Sequence, residues 1–178
     1  GPSFEPLICF GANCAEPHHV TDSASTLRAG DSVIIDVGLR WQSYASDMTR
    51  TVFFGAATDE QKRVYDLVCA ANAAGRAAVR PGLPLSAFDP AARKVIEDAG
   101  YGKYFIHRTG HGIGLQEHEP PDVSSVSETI AEPGMVFSIE PGIYLPGRFG
   151  VRVEDLVAVT ETGGETLNAL GGEFRIIQ

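Results

Sequence analysis

Two kinds of apolar spacing alternate along this chain and predict a mixed helix-and-strand fold. Short runs of β-branched and aromatic residues, bounded by glycine, proline, asparagine and aspartate, predict strands. The clearest are Val33-Ile34-Ile35 and Thr51-Val52-Phe53-Phe54, expected to pair antiparallel around a turn-forming segment, 39–45. Ahead of them, Phe4 to Phe10 predicts a short strand that runs into a turn at Gly11-Ala12-Asn13. Residues 27–31 predict a further turn, and Pro17-His18-His19 a loop.

A helical period then takes over at Val64, Leu67, Val68, Ala71 and Ala74. Thr58 and Gln61 open it as a capping-box pair, and Pro81-Gly82 closes it. A second helix is expected over about 86–99, with Phe88, Ala92, Val95 and Ile96 facing inward and Gly100 ending it. Both helices read as structural.

Strand spacing returns at 134–144 and 151–157, and it repeats the first arrangement. Gly134 precedes Glu140 by the same interval as Gly30 precedes Asp36. In each case a second apolar run comes back with another acid, Asp47 in the first unit and Glu154 in the second. A chain that twice builds strand, acid, turn, strand, acid is expected to form two pseudo-symmetric halves of an α+β domain. Four carboxylates would converge between those halves.

Composition narrows the function classes. The 178 residues are 43% hydrophobic and 21% charged, which fits one soluble domain with a full core. A net charge of −9 argues against nucleic acid, whose partners present a basic face. No apolar run approaches membrane-spanning length, and no signal peptide is visible, so no membrane partner is expected. Cys9, Cys14 and Cys69 are odd in number and lack zinc-type spacing, so buried free thiols in a reducing cytoplasm are expected.

The acids then change the picture. An ionised carboxylate where a core residue belongs is costly unless a partner or cation compensates it. Taken alone, Asp36 and Asp47 would read more readily as turn residues on a solvated hairpin. The glycine-rich stretch His107-Arg108-Thr109-Gly110-His111-Gly112, followed by His118, tips the balance, because all five histidines lie here or at 18 and 19. Four carboxylates with His111 as nitrogen donor form a hard, anionic cage. It suits two divalent ions better than a structural zinc, with manganese the best match and cobalt, iron or zinc also accommodated. Such a centre implies metal-assisted hydrolysis of an amide or ester.

The motifs resemble the pita-bread metallopeptidases, the family of methionine aminopeptidase, aminopeptidase P and prolidase. Asp36 and Asp47 stand in "IDVG…YASDMTRT", His111 in "HRTGHGIGL", Glu140 in "SIEPGIY" and Glu154 in "GVRVED". The resemblance runs from Ser3 to Asn168 and fills all five metal-ligand positions of that family in order. It implies the pita-bread (creatinase/aminopeptidase) fold and a two-metal centre. It also gives His18 a substrate and leaving-group role, His118 an oxyanion role, and Glu140 a proton shuttle as well as a ligand role. Arg152, Tyr144 and Thr49 correspond to groups that orient the ligands, and His107 to a structural neighbour of the site.

"EPGIY" with "GVRVED" resembles aminopeptidase P and prolidase, since methionine aminopeptidases typically lack the arginine beside the last glutamate. The resemblance therefore implies hydrolysis of the bond before proline at a free amino end, with peptides carrying proline at the second position as substrates. Xaa-Pro aminopeptidase is the first expectation and Xaa-Pro dipeptidase (prolidase) the second. Family members of this subgroup carry an amino-terminal domain and leading helices ahead of the "SFEPLICFG" strand. Residues 1–178 are thus expected to be a catalytic domain truncated at the N-terminus, existing as a homo-oligomer or completed by that missing segment. The competing expectations are a non-catalytic peptide-binding module of the same fold, an inactive metal-binding fragment, and creatinase-like metal-free chemistry. Retention of every ligand weighs against the first and last of these.

Overall fold

The computed structural model describes residues 1–20 and 23–178. The first half is a sheet in the order β1, β2, β5, β13. Leu7–Phe10 forms β1, Ser32–Val37 β2 and Met48–Phe54 β5, and Ile176–Ile177 at the far end of the chain forms β13. β1 and β5 both pair antiparallel with β2, which sets Asp36 opposite Leu7 on one side and Thr49 on the other. The predicted turn at 39–45 is itself a small ribbon of β3 (Arg40–Trp41) and β4 (Tyr44–Ala45). Its tip is made by Gln42 and Ser43, both at positive φ. Only two residues separate the strands, and such short hairpins favour that backbone geometry.

Two helices follow. Helix α1 spans Asp59–Ala78 and starts at the Thr58–Gln61 capping box that the sequence predicts. Helix α2 spans Asp89–Asp98 and so begins later than the expected 86, after a 3-10 turn at Leu85–Ala87. Pro90 explains the offset, because a residue without an N–H is best tolerated in the first helical turn.

The second half is a five-stranded sheet in the order β12, β11, β8, β6, β7. Its strands are β6 (Gly110–Gly112), β7 (Glu119–Val123), β8 (Val136–Ile139), β11 (Asp155–Val159) and β12 (Gly164–Thr166). Between β8 and β11 the chain makes a second ribbon, β9 (Gly142–Leu145) with β10 (Phe149–Arg152). The expected single strand over 151–157 is therefore two. Val153 and Glu154 lie at the break, where the chain leaves the ribbon and enters the sheet. The pseudo-symmetry holds at this level, since β2–ribbon–β5 and β8–ribbon–β11 share one plan.

Three apolar clusters hold these layers together. Phe53, Val64, Tyr65, Val68, Ile96, Phe105 and the β9–β10 side chains pack under α1, with Phe174 stacked on Phe53. Val79, Leu85, Phe88, Val123, Phe137, Ile139 and Val157 fill the space beneath the second sheet. A smaller cluster joins Cys9, Cys14 and Ile34 to Tyr144. Each fully buried Val, Ile or Phe contributes about 1.5–3 kcal/mol relative to exposure. All three cysteines are free; Cys9 and Cys14 are buried as expected, whereas Cys69 is only partly so. Among the described residues no helix is long and apolar enough to cross a membrane.

Candidate metal centre

The two strand–ribbon–strand units place their acids at equivalent points. Asp36 lies at the end of β2 and Glu140 just past β8, while Asp47 just precedes β5 and Glu154 just precedes β11. Main-chain bonds lock the halves in register. Glu154 N donates to Thr49 O at 3.1 Å, and Thr51 Oγ1 both accepts from Arg152 N and donates to Arg152 O.

His111 arrives on β6, between the sheet partners β7 and β8. Its flanking glycines are required there. A Cβ at Gly110 would fall on the Ser138 carbonyl, and one at Gly112 on the Glu119 carbonyl. The ring is oriented by Nδ1 against Gly112 O at 3.1 Å, which turns Nε2 to the acids. Nε2 lies 3.5 Å from Glu140 Oε1, 3.7 Å from Asp47 Oδ2 and 3.9 Å from Glu154 Oε1. Asp47, His111 and Glu154 each offer a ligand atom within 4.8 Å of the other two, and all three residues are buried.

The electrostatics of this cluster are those of a cation site. Asp36 Oδ1, Asp47 Oδ1 and Glu154 Oε1 are buried without a hydrogen-bond partner. Burial, reinforced by the Asp36 and Glu140 charges, pushes Asp47 up to about 8. Burial pushes Glu140 up to about 7 against the pull of Arg152, and holds Glu154 well above the usual carboxylate range with Asp47 and Glu140 adding to it. His111 is lowered to about 4, chiefly by burial, so its imidazole is neutral and free to donate a lone pair. Like charges crowded in low dielectric are relieved by a divalent ion. Asp36, Asp47, His111, Glu140 and Glu154 therefore fit divalent metal, with donors of the type such ions prefer.

Around the acids lies a supporting network. Arg152, only 2% exposed, reaches Asp36 Oδ2 at 2.6 Å, Thr49 Oγ1 at 3.1 Å, Tyr144 Oη at 3.2 Å and Pro17 O at 3.0 Å. Thr49 Oγ1 in turn donates to Glu154 Oε2 at 2.7 Å. His107 Nε2 lies 2.8 Å from Tyr144 Oη, so this histidine joins the network rather than the acids. Of the two loop histidines, His18 lines the cavity above the cluster, while His19 bonds Glu16 at 3.0 Å. His118 lines the same cavity, its ring centroid 4.1 Å from that of His111. The cavity measures about 680 Å³, room for a short peptide.

Sequence reasoning missed several members of the site. Arg50 is buried and donates to Asp155 Oδ1 at 2.6 Å and to Glu154 O. Asp89 on α2 accepts from Thr109 Oγ1 at 2.7 Å, which steadies the segment leading to His111. Asn72 on α1 donates to Ile139 O at 2.8 Å and to Val153 O at 3.4 Å, the two carbonyls directly before Glu140 and Glu154. The one available signal was a polar residue, Asn72, inside the apolar face of an otherwise regular helix.

Known proteins are similar to this chain in sequence and in fold. An uncharacterized peptidase of Staphylococcus aureus is 46% identical over 165 residues, which is 93% of this chain and 47% of the relative. The chain thus spans about half the length of the curated relatives it matches. The crystal structure of recombinant prolidase from Thermococcus sibiricus superposes with a TM-score of 0.95 at 45% identity, covering 99% of this chain and 48% of that one. X-Pro aminopeptidase from Thermotoga maritima does so at 0.95 and 36%, covering 99% and 50%. The fold is the pita-bread fold, as the motif resemblance implied. With residues 1–161 matching the description "Metallopeptidase family M24", the chain belongs to that family.

Proposed function

We propose that this chain hydrolyses the peptide bond preceding proline at a free amino end, using two divalent ions held by Asp36, Asp47, His111, Glu140 and Glu154. The observation that carries this reading is the set of three buried, partnerless carboxylate oxygens next to a neutral imidazole. Manganese is the preferred metal for so oxygen-rich a set, and cobalt, iron or zinc would fit the same donors. When bound, the ions supply Lewis-acid polarisation and a water ionised near neutral pH.

The chain's own residues supply the remaining chemistry. Glu140, which lines the cavity with Oε1 3.5 Å from His111 Nε2, is placed to accept a proton from the attacking water and deliver it to the leaving nitrogen. His118 stabilises the oxyanion of the tetrahedral intermediate, and His18 holds substrate and assists the leaving group. Arg152, Tyr144 and Thr49 keep Asp36 and Glu154 in position, and His107 braces Tyr144.

Selectivity for proline is supported by the "EPGIY" and "GVRVED" motifs and by the prolidase and X-Pro aminopeptidase among the similar structures. Xaa-Pro aminopeptidase is the first assignment and Xaa-Pro dipeptidase the second. Three free cysteines fit a reducing cytoplasm. The test is manganese-dependent release of the amino-terminal residue from X-Pro dipeptides and X-Pro-Y tripeptides, with metal content measured on the same sample. Turnover on tripeptides assigns the aminopeptidase, and turnover confined to dipeptides assigns the dipeptidase. Two metals without turnover would limit these residues to metal binding, and no bound metal would overturn the reading.

A further inference from the structure

The hydrolytic chemistry leaves the cysteines unused, and two of them meet. Cys9 lies on β1 opposite Ile34, and Cys14 lies in the 3-10 turn Gly11–Ala15 that follows the strand. Both are buried, and Cys9 Sγ donates to Cys14 Sγ at 3.7 Å. The two thiols are unequal. The hydrogen bond from Cys9 is the main reason the Cys14 thiol lies below its ordinary value; Ser32, the Ile34 N–H and the charge of Arg152 add to it, against burial. Ser32 Oγ, buried without a hydrogen-bond partner of its own, sits beside that sulfur as an unused donor. Cys9 is pushed upward, by the same bond and by burial. One sulfur is thus set to attack and its neighbour to follow, because the thiolate is the reactive form.

The pair also adjoins the frame of the metal centre. Cys9, Cys14, Ile34 and Tyr144 pack as one cluster, and Tyr144 Oη accepts from Arg152 Nη1 at 3.2 Å. Three residues after Cys14, Pro17 O accepts from the same Nη1 at 3.0 Å. A disulfide bond is about 2.05 Å long, so the two sulfurs must close by roughly 1.7 Å to form one. Pairing with β2 fixes Cys9, so the turn that carries Cys14 supplies that movement and Pro17 is drawn with it.

We propose that Cys9 and Cys14 form a redox modification site: a peroxide converts this dithiol to an internal disulfide, and closing it loosens the hold of Arg152 on Asp36. In the first step the Cys14 thiolate attacks one peroxide oxygen, the O–O bond breaks, and the other oxygen leaves as water after taking up a proton. Cys9 sulfur then attacks the Cys14 sulfenic acid, the S–O bond breaks, and a second water leaves. Two thiols have lost two electrons and two protons, and one peroxide has become two waters. The consequence for Arg152 rests on reading the acids as a metal site; the disulfide itself does not.

The test is treatment of the folded, metal-free protein with hydrogen peroxide, followed by removal of the peroxide, peptide mapping by mass spectrometry and calorimetric titration with manganese. The expected product is two hydrogen atoms lighter, with the cross-link between Cys9 and Cys14 and Cys69 outside it. Manganese affinity should fall about tenfold, the low end of the loss seen when a group that orients a metal ligand is released. Dithiothreitol should restore it, and peroxide should leave the affinity of Cys9→Ala and Cys14→Ala unchanged. Cys9 and Cys14 both still free after peroxide, a bridge to Cys69, or a lone sulfinic acid would each overturn the dithiol site, and mapping the parent decides this without any variant. An internal disulfide with undiminished manganese affinity would overturn the link to Arg152. A reduced protein that binds no manganese would overturn the metal reading and that link together, while the mapped disulfide would stand.

Discussion

Thr49 shows how much of this site depends on a single hydroxyl. It is fully buried, donates to Glu154 Oε2 and accepts from Arg152 Nε, so it links one acid of the second half to the arginine that holds Asp36. Its hydrogen bond is a force that favours the ionised form of Glu154, against burial and the charges of Asp47 and Glu140. Thr49→Val keeps the shape and removes the hydroxyl. Divalent-metal affinity is then expected to fall about 10–100-fold, as for other groups that orient metal ligands. Calorimetric titration with manganese checks this, and an unchanged affinity would show that Glu154 is placed without Thr49.

At the scale of elements, Asn72 makes α1 part of the centre. Its Nδ2 holds the carbonyls preceding Glu140 and Glu154, while its Oδ1 accepts from Arg76 Nε at 2.8 Å. Asn72→Leu leaves these buried groups unsatisfied at a cost of about 1–3 kcal/mol. The urea midpoint should drop accordingly, and metal affinity should drop with it because both strand ends are released. Lost stability with full metal affinity would confine Asn72 to a packing role. This helix also marks the limit of what the sequence discloses. Asp36, Asp47, Glu140 and Glu154 were legible because each acid interrupts an apolar strand run, and the α1 boundaries because Thr58 and Gln61 are local signals. The partners Arg50–Asp155 and Asn72–Ile139 are 105 and 67 residues apart, so no periodicity announces them. The β9–β10 ribbon was hidden for a similar reason, since Ile143, Tyr144, Phe149 and Val151 face a core formed elsewhere in the chain. The two-residue β13 gains its strand character solely by pairing in parallel with β5.

For the molecule as a whole, the acid cluster couples folding to protons and to metal. In the metal-free protein Asp47 is pushed up to about 8 and Glu140 to about 7, burial being the largest cause in both, and Glu154 also lies far above its ordinary value. Each therefore keeps a proton in the native state that it loses on unfolding, so native binds more protons and stability falls as pH rises. That contribution is complete below the ordinary carboxylate range and is lost as pH passes through the folded values. His107 and His111, both lowered to about 4 by burial, act in the opposite sense, but only up to their ordinary value of 6.5. The window from 6.5 to about 8 is thus where the acids act without opposition from the histidines. Each extra proton held in the native state costs about 1.4 kcal/mol per pH unit there. The metal-free protein is expected to melt at progressively lower temperature across that window. Manganese should reverse the trend, because the metal displaces those protons and binds more tightly as they leave. At a free concentration a hundredfold above Kd the gain is about 2.7 kcal/mol, enough to raise the midpoint by several degrees. A melting temperature that stays level from pH 6.5 to 8 without metal would mean that the acids are not crowded in solution as they are here, and the case for a shared cation site would weaken with it.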